Sequence, residues 1–141
     1  MTAFVLDASI TMAWCFEDEA DTLCHQVLLS FKSMKALVPA LWLLEVSNVL
    51  LVAERKKRIK PADSLRFASL IKTLPIHIDE SPPAITDLLH LGRSHNLSSY
   101  DATYLLLAMK NGLPIATQDR DLIKAAQDVG VLLHPQNAIL F

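Results

Sequence analysis

Apolar residues gather in short continuous runs at four places along the chain, and each run is bounded by small residues, polar residues or proline. The runs are Phe4–Leu6, Ala36–Val38, Pro114–Thr117 and Val131–Leu133. Continuous apolar runs of this length are typical of strands buried on both faces of a parallel sheet, and we place Phe4–Leu6 at its centre. A fifth segment, Ile76–Ile78, alternates apolar and polar residues, which predicts an exposed or edge strand.

Between these runs, apolar residues recur at helical spacing and are punctuated by helix start and stop signals. The predicted helices are Ser9–Phe16, Glu17–Lys32, Ala40–Arg58, Pro61–Leu74, Pro82–His95, Tyr100–Lys110 and Asp119–Gly130. Asn96 and Asn111-Gly112 are the predicted stops of two of them. Strands that alternate with helices predict a three-layer α/β fold: a mostly parallel sheet of four or five strands with helices on both faces. The length of 141 residues predicts a single domain over residues 1–141.

Composition narrows the class of protein without naming its partner. Hydrophobic residues make up 52% of the chain, slightly above the usual 45–50%, so we expect a second copy or a partner to cover some apolar surface. The net charge of −2 neither favours nor excludes nucleic acid. Cys15 and Cys24 lack a CxxC pattern and predict reduced thiols in a cytoplasmic protein. Pro39 and Glu45 interrupt the most apolar stretch, so we expect no membrane span, and no signal peptide opens the chain.

Two acids lie at predicted strand ends. Asp7 follows the first strand, and Asp119 follows the fourth, two residues past Thr117. Because the carboxyl ends of parallel strands meet at one edge of the sheet, we expect both acids to face a common crevice. Each also has a structural alternative: Asp7, or Ser9 behind it, and Asp119 are good N-caps for the helices that follow.

Two further acids lie on helices. Glu45 sits in the apolar face of its helix, where burial requires a cation, a hydrogen-bond partner or water, and Asn48 shares that face. The alternative, a partly exposed acid at the edge of the stripe, has equal weight. Asp101 completes a Ser98-x-x-Asp101 pattern that, taken singly, is better explained as a capping box. Asp121 is explained most simply as a favourable charge in a first helical turn.

Taken jointly, strand-end acids, an acid on an apolar helix face and an acid at a helix start are what a site for a hard cation requires. Mg²⁺ and Mn²⁺ prefer oxygen ligands and commonly bind carboxylates together with water and substrate phosphates. Such a site can activate water and stabilise charge on phosphate. The chain has no Ser or Cys nucleophile constellation that would compete with this interpretation.

Four motifs resemble the PIN domain, and more narrowly the VapC toxins of toxin–antitoxin pairs. They are Val5-Leu6-Asp7-Ala8-Ser9, Pro39-x-Leu41-Trp42-x-x-Glu45-Val46-x-Asn48-Val49-Leu50, Tyr100-Asp101-Ala102-x-Tyr104 and Thr117-x-Asp119-x-Asp121-Leu122. The resemblance covers Phe4 to about Leu133. It implies metal-dependent endoribonuclease activity, with Asp7, Asp101 and Asp119 holding Mg²⁺ or Mn²⁺ and Glu45 positioning the metal or a metal-bound water. Ser9, Asn48, Thr117 and Asp121 would support these ligands from a second layer.

The same resemblance implies an RNA substrate, a homodimer that can enter a larger toxin–antitoxin assembly, and a cognate antitoxin that lies across the active-site groove. RNA requires cations nearby, and Arg93, Lys110 and Arg120 are candidate phosphate contacts because they lie near these motifs in the sequence. The densest basic cluster, Arg55–Arg58 with Lys60, is better explained as a solvated helix end.

Three other functions are compatible with a small α/β domain of this kind to different degrees. A response-regulator receiver is excluded because Asp7 has no acidic neighbour and no lysine follows the last strand. A non-catalytic RNA- or protein-binding module of the same fold remains open, because capping alone could explain three of the four acids. A housekeeping RNA-processing nuclease also remains open. The complete acidic quartet favours catalysis, and the short chain favours the toxin.

Overall fold

Parallel strands form the central sheet of the computed structural model, which describes residues 2–16 and 21–136. The strands are β1 (Thr2–Leu6), β2 (Met34–Pro39), β3 (Ile76–Asp79) and β4 (Ile115–Ala116). They lie in the order β3-β2-β1-β4, so β1 is internal and β3 is at an edge, as the apolar patterns predict. The α/β prediction is confirmed.

Helices connect and cover these strands. They are α1 (Ala8–Cys15), α2 (Thr22–Ser30), α3 (Leu41–Arg55), α4 (Pro61–Lys72), α5 (Ile85–His95), α6 (Ser99–Asn111) and α7 (Arg120–Asp128). Local chemistry fixes their ends: the side chains of Asp21, Ser98 and Asp119 cap helix N-termini. Asn96 and Gly112 adopt left-handed conformations at the predicted helix stops.

The core is built around β1. Phe4, Val5 and Leu6 have no exposed surface, and since successive strand side chains point to opposite faces, both faces of β1 are covered. The ring of Phe4 packs between Phe31 and His134, with ring centroids 5.5 and 4.2 Å away. On α6 the residues Ala102, Tyr104, Leu105 and Ala108 are completely buried, and the helix packs against β1, β2 and β4.

Two predicted elements need correction. Val131–Leu133 is not a strand: it forms one parallel bridge between Leu133 and Ile115. Pro135 follows closely and has no N–H to extend the pairing. The helix predicted from Pro82 begins at Ile85, because a residue before proline is disfavoured in helical geometry and Ala84 is extended.

Smaller differences concern helix ends, which fray by one or two residues. The predicted start of the second helix at Glu17 lies outside the described residues, and α2 begins at Thr22. The third predicted helix ends at Arg55, before the basic cluster is complete. Throughout residues 2–16 and 21–136, no helix combines the length and the apolar character needed to cross a membrane.

Candidate active site

Asp7 directly follows β1 and is almost completely buried, at 5% exposure. Its side chain does not cap α1, although it precedes that helix. Instead the hydroxyl groups of Ser9 and Thr117 both donate to Oδ2, each at 2.7 Å. Burial raises the pKa of Asp7, the two hydroxyl donors counteract that shift, and the negative charge of Asp119 adds to it. Two hydrogen bonds therefore hold Oδ2 in place, while burial and the charge of Asp119 disfavour the ionised form of the carboxylate.

The segment after β4 brings Thr117 and Asp119 to the same place. Thr117 Oγ1 accepts a hydrogen bond from the Asp119 amide at 3.0 Å while it donates to Asp7. The Gln118 amide donates to Ser9 Oγ at 3.2 Å, which ties this segment to the start of α1. Asp119 Oδ1 accepts the Leu122 amide at 3.0 Å, so the predicted cap is present and occupies only one carboxylate oxygen.

Glu45 projects from α3 and is partly buried. The phenol of Tyr104 donates to its Oε1 at 2.6 Å across a sequence separation of 59 residues. Burial raises the pKa of Glu45, the bond from Tyr104 lowers it, and the charge of Asp7 raises it further. Sequence reasoning assigned no role to Tyr104, although it lies within one of the quoted motifs.

Asp101 is influenced electrostatically by the other acids. Its backbone amide is capped by Ser98 Oγ at 3.1 Å, but its carboxylate does not complete the capping box. No side chain or amide in the described ranges donates to that carboxylate. Burial, which has the largest effect, and the charges of Asp119, Asp7, Glu45 and Asp121, in that order, together raise the pKa of Asp101 to about 6. The acid cluster, defined as Asp7, Glu45, Asp101 and Asp119, is therefore a region of mutual repulsion.

The chemistry of this donor set fits a hard divalent cation, because every candidate ligand is a carboxylate oxygen and a cation would relieve the repulsion. Within residues 2–16 and 21–136, however, no three His, Cys, Asp or Glu side chains are arranged to hold a metal by themselves. A cation held by the acid cluster would thus take water and substrate oxygens to complete its coordination, as Mg²⁺ commonly does.

The sequence profile of the PIN domain matches residues 4–128. This chain belongs to the PIN domain family. PIN domains are generally nucleases, and they typically use divalent metal ions. No protein of curated function matches the chain.

Solved structures with the same fold include PAE2754 from Pyrobaculum aerophilum, at a TM-score of 0.72 and 22% identity over 99% of this chain and 93% of that one. VapBC2 from Rickettsia felis, bound to a DNA fragment from its promoter, matches with a TM-score of 0.68 and 13% identity over 94% and 98% of the two chains. A PilT N-terminus domain protein, SSO1118 from Sulfolobus solfataricus P2, matches with a TM-score of 0.50 and 18% identity over 99% of this chain and 91% of that one.

The remaining residues proposed for this PIN domain site lie around the acid cluster to different degrees. Asp121 is exposed in the first turn of α7, and its charge contributes to the raised pKa of Asp101. Asn48 is exposed one turn beyond Glu45 and forms no hydrogen bond with an acid of the described residues. The charge of Asp121 therefore acts on the acid cluster. Asn48 is close to the cluster only in the sense that it follows Glu45 along α3.

The three candidate phosphate contacts are all exposed. Arg120 is the first residue of α7 and follows Asp119 directly. Lys110 lies in the last turn of α6, beside an apolar groove of about 380 Å³ that Leu88 and Leu106 also line. Arg93 lies in the last turn of α5. Of the three, Arg120 is the nearest in sequence to a residue of the acid cluster.

Proposed function

We propose that this PIN domain is a Mg²⁺- or Mn²⁺-dependent endoribonuclease that hydrolyses RNA phosphodiester bonds. The observation that carries the proposal is the convergence of four carboxylates from separate elements, which helps raise the pKa of Asp101 to about 6. Asp7 follows β1, Asp119 precedes α7, and Glu45 and Asp101 lie on α3 and α6. Repulsion of this kind destabilises a fold, so a cluster that retains it is a functional-site candidate.

In this proposal Asp7, Asp101 and Asp119 hold the cation directly or through water, and Glu45 orients the cation or a water on it. A bound divalent ion supplies a more acidic water and neutralises charge on the phosphate. The Ser9 and Thr117 hydroxyl groups fix Asp7 Oδ2, and so they orient the carboxylate that would hold the cation. Arg120, Lys110 and Arg93 would contact RNA phosphates on either side of the cleaved bond.

We further propose that the nuclease is a cytoplasmic toxin that inhibits translation, and that a cognate antitoxin silences it. Support comes from the VapC-like motifs and from the fold shared with VapBC2 of Rickettsia felis. Apolar side chains offer surface for a homodimer or an antitoxin: Leu44, Leu65 and Ile85 are 70%, 72% and 76% exposed. This surface would also serve a larger toxin–antitoxin assembly.

The nuclease proposal predicts that cleavage depends on an added metal. Purified protein should cut labelled RNA with Mg²⁺ or Mn²⁺, lose the activity in excess EDTA, and recover it when either ion is restored. Ca²⁺ should support much less cleavage, because its larger and more flexible coordination shell suits an in-line displacement poorly. Cleavage that survives chelation would contradict a metal-dependent mechanism, and no cleavage with any RNA or ion would favour the binding module.

The toxin proposal predicts growth arrest on induction in a bacterial host. Co-expression of a small DNA-binding protein encoded next to this chain should restore growth and copurify with it. An Asp7→Asn protein, produced at the same level, is the control that should leave growth unaffected. Normal growth with an enzyme that cleaves RNA in vitro would instead favour a housekeeping nuclease.

A further inference from the structure

Tyr104 places a polar group in the middle of the protein core. Its side chain has no exposed surface, and it lies on α6 between Ala102 and Leu105, which are also completely buried. Buried tyrosine hydroxyls require a hydrogen-bond partner. Here the partner is a carboxylate of the acid cluster, Glu45 Oε1, at 2.6 Å.

Helix α6 contributes two side chains to the site. Asp101 and Tyr104 are three residues apart, so they lie on neighbouring positions of one helix face. The helix therefore supplies one acid of the cluster and, through Tyr104, the donor that holds another acid on α3. The bond from Tyr104 therefore restrains the Glu45 carboxylate relative to the helix that carries Asp101.

Glu45 has the longest side chain of the four acids, so its carboxylate has more freedom to be restrained by a donor. Its side chain has three rotatable bonds, is only partly buried, and accepts no other hydrogen bond from residues 2–16 and 21–136. Asp7, by contrast, has a shorter side chain and two hydroxyl donors. The Tyr104 bond engages Oε1 and leaves Oε2 as the oxygen of Glu45 that can face a cation.

We propose that Tyr104 is a positioning residue that orients Glu45 toward the cation. The inference rests on the proposed function, because it assigns Glu45 a role in holding metal or metal-bound water. Groups that orient ligands in this way typically change metal affinity or activity 10- to 100-fold when removed. If Tyr104 only satisfied its own burial, its hydroxyl would affect stability and nothing else.

The first test compares Tyr104→Phe with the wild type in the full chain. This substitution removes the hydroxyl and no carbon. We expect Mn²⁺ affinity, measured by calorimetry and by electron paramagnetic resonance, to fall about tenfold. With RNA, kcat should fall while KM stays unchanged. Tyr100→Phe is the matched control, since Tyr100 is the other tyrosine of the chain and is 59% exposed; its Mn²⁺ affinity and kcat should equal the wild-type values.

A double-mutant cycle then asks whether Tyr104 acts through Glu45. Tyr104→Phe should change Mn²⁺ affinity little in a Glu45→Gln background, because the acid that it orients is already gone. Fully additive losses would overturn the inference, and so would wild-type Mn²⁺ affinity in Tyr104→Phe when Glu45→Gln weakens binding. If the wild-type protein binds no Mn²⁺ at all, the proposed metal-dependent function fails instead.

A spectroscopic measurement covers the case in which Tyr104→Phe does not fold. In a Tyr100→Phe protein with ¹³C at tyrosine Cζ, the single tyrosine resonance reports on Tyr104. Addition of Mg²⁺ should shift this resonance, and the shift should vanish in a Glu45→Gln variant. A resonance that stays constant through saturation with Mg²⁺ would overturn the inference.

Discussion

An Asp7→Asn protein is expected to lose more than about 100-fold of its RNA cleavage, beyond the range typical of residues that only support a ligand. Asparagine keeps the size of the side chain and can still accept from Ser9 and Thr117, but it lacks the charge that a cation requires. Burial raises the pKa of Asp7, so the ionised carboxylate is disfavoured in the folded state, and its stabilising proton is lost as pH rises through the folded pKa. The metal-free variant should therefore melt no lower than the wild type at pH 7.

Gel assays of labelled RNA and thermal unfolding without divalent ions measure the two effects. Asp128→Asn is the control, because Asp128 is exposed at the end of α7 and pairs with Lys124 at the surface. It should retain wild-type cleavage. Unchanged cleavage by Asp7→Asn would rule out the proposed site. If the variant loses both its cooperative thermal unfolding and its activity, the role of Asp7 is structural.

Asp101→Asn is expected to lower cleavage by a similar factor, again above about 100-fold, with no loss of stability. The pKa of Asp101 is about 6, against an ordinary value of 3.8. The proton that stabilises the folded wild type is fully bound below 3.8 and is lost as pH rises through about 6. The stability of the variant relative to the wild type should therefore increase between pH 4 and 6 and level off above pH 7. Thermal melts without metal at pH 4.5, 6 and 7.5 measure this difference.

Ser98→Ala is expected to have the opposite effects to Asp101→Asn, so the two variants together distinguish helix capping from catalysis. Ser98 Oγ is the group that caps α6, so its removal should cost about 0.5–2 kcal/mol of stability while cleavage continues. The interpretation of Asp101 as a cap predicts the reverse, with a loss of stability and intact cleavage in Asp101→Asn. The pair of variants therefore assigns Asp101 to one role.

Much of the fold could be predicted from the sequence because apolar runs and helix signals are local. Phe4–Leu6 is the internal strand that its continuous apolar character predicts, and Ile76–Ile78 belongs to the edge strand that its alternation predicts. Local pattern failed where pairing depends on a distant partner. Val131–Leu133 is apolar enough for a strand, yet it makes one bridge, because β4 is two residues long and Pro135 prevents extension.

The candidate site was predictable in part. Asp7 and Asp119 were expected to lie close together because each follows a predicted parallel strand. This expectation requires β4 to lie beside β1. The order of the strands in the sheet cannot be predicted from the sequence of either strand. Bringing Glu45 and Asp101 to the same edge rested on family resemblance. The hydrogen bond from Tyr104 to Glu45 could not be predicted, because a tyrosine in an apolar helical stripe is usually a core residue and its acceptor is 59 residues away.

The bond between Thr117 and Asp7 also has a consequence for biosynthesis. Its partners are 110 residues apart, so at a translation rate of about 5–20 residues per second they are made roughly 6–22 s apart. During that interval the growing polypeptide contains Asp7 but not the threonine that anchors it or the aspartate beside that threonine. Such a nuclease would stay inert on the ribosome, where RNA surrounds it, until Thr117 and Asp119 had been translated.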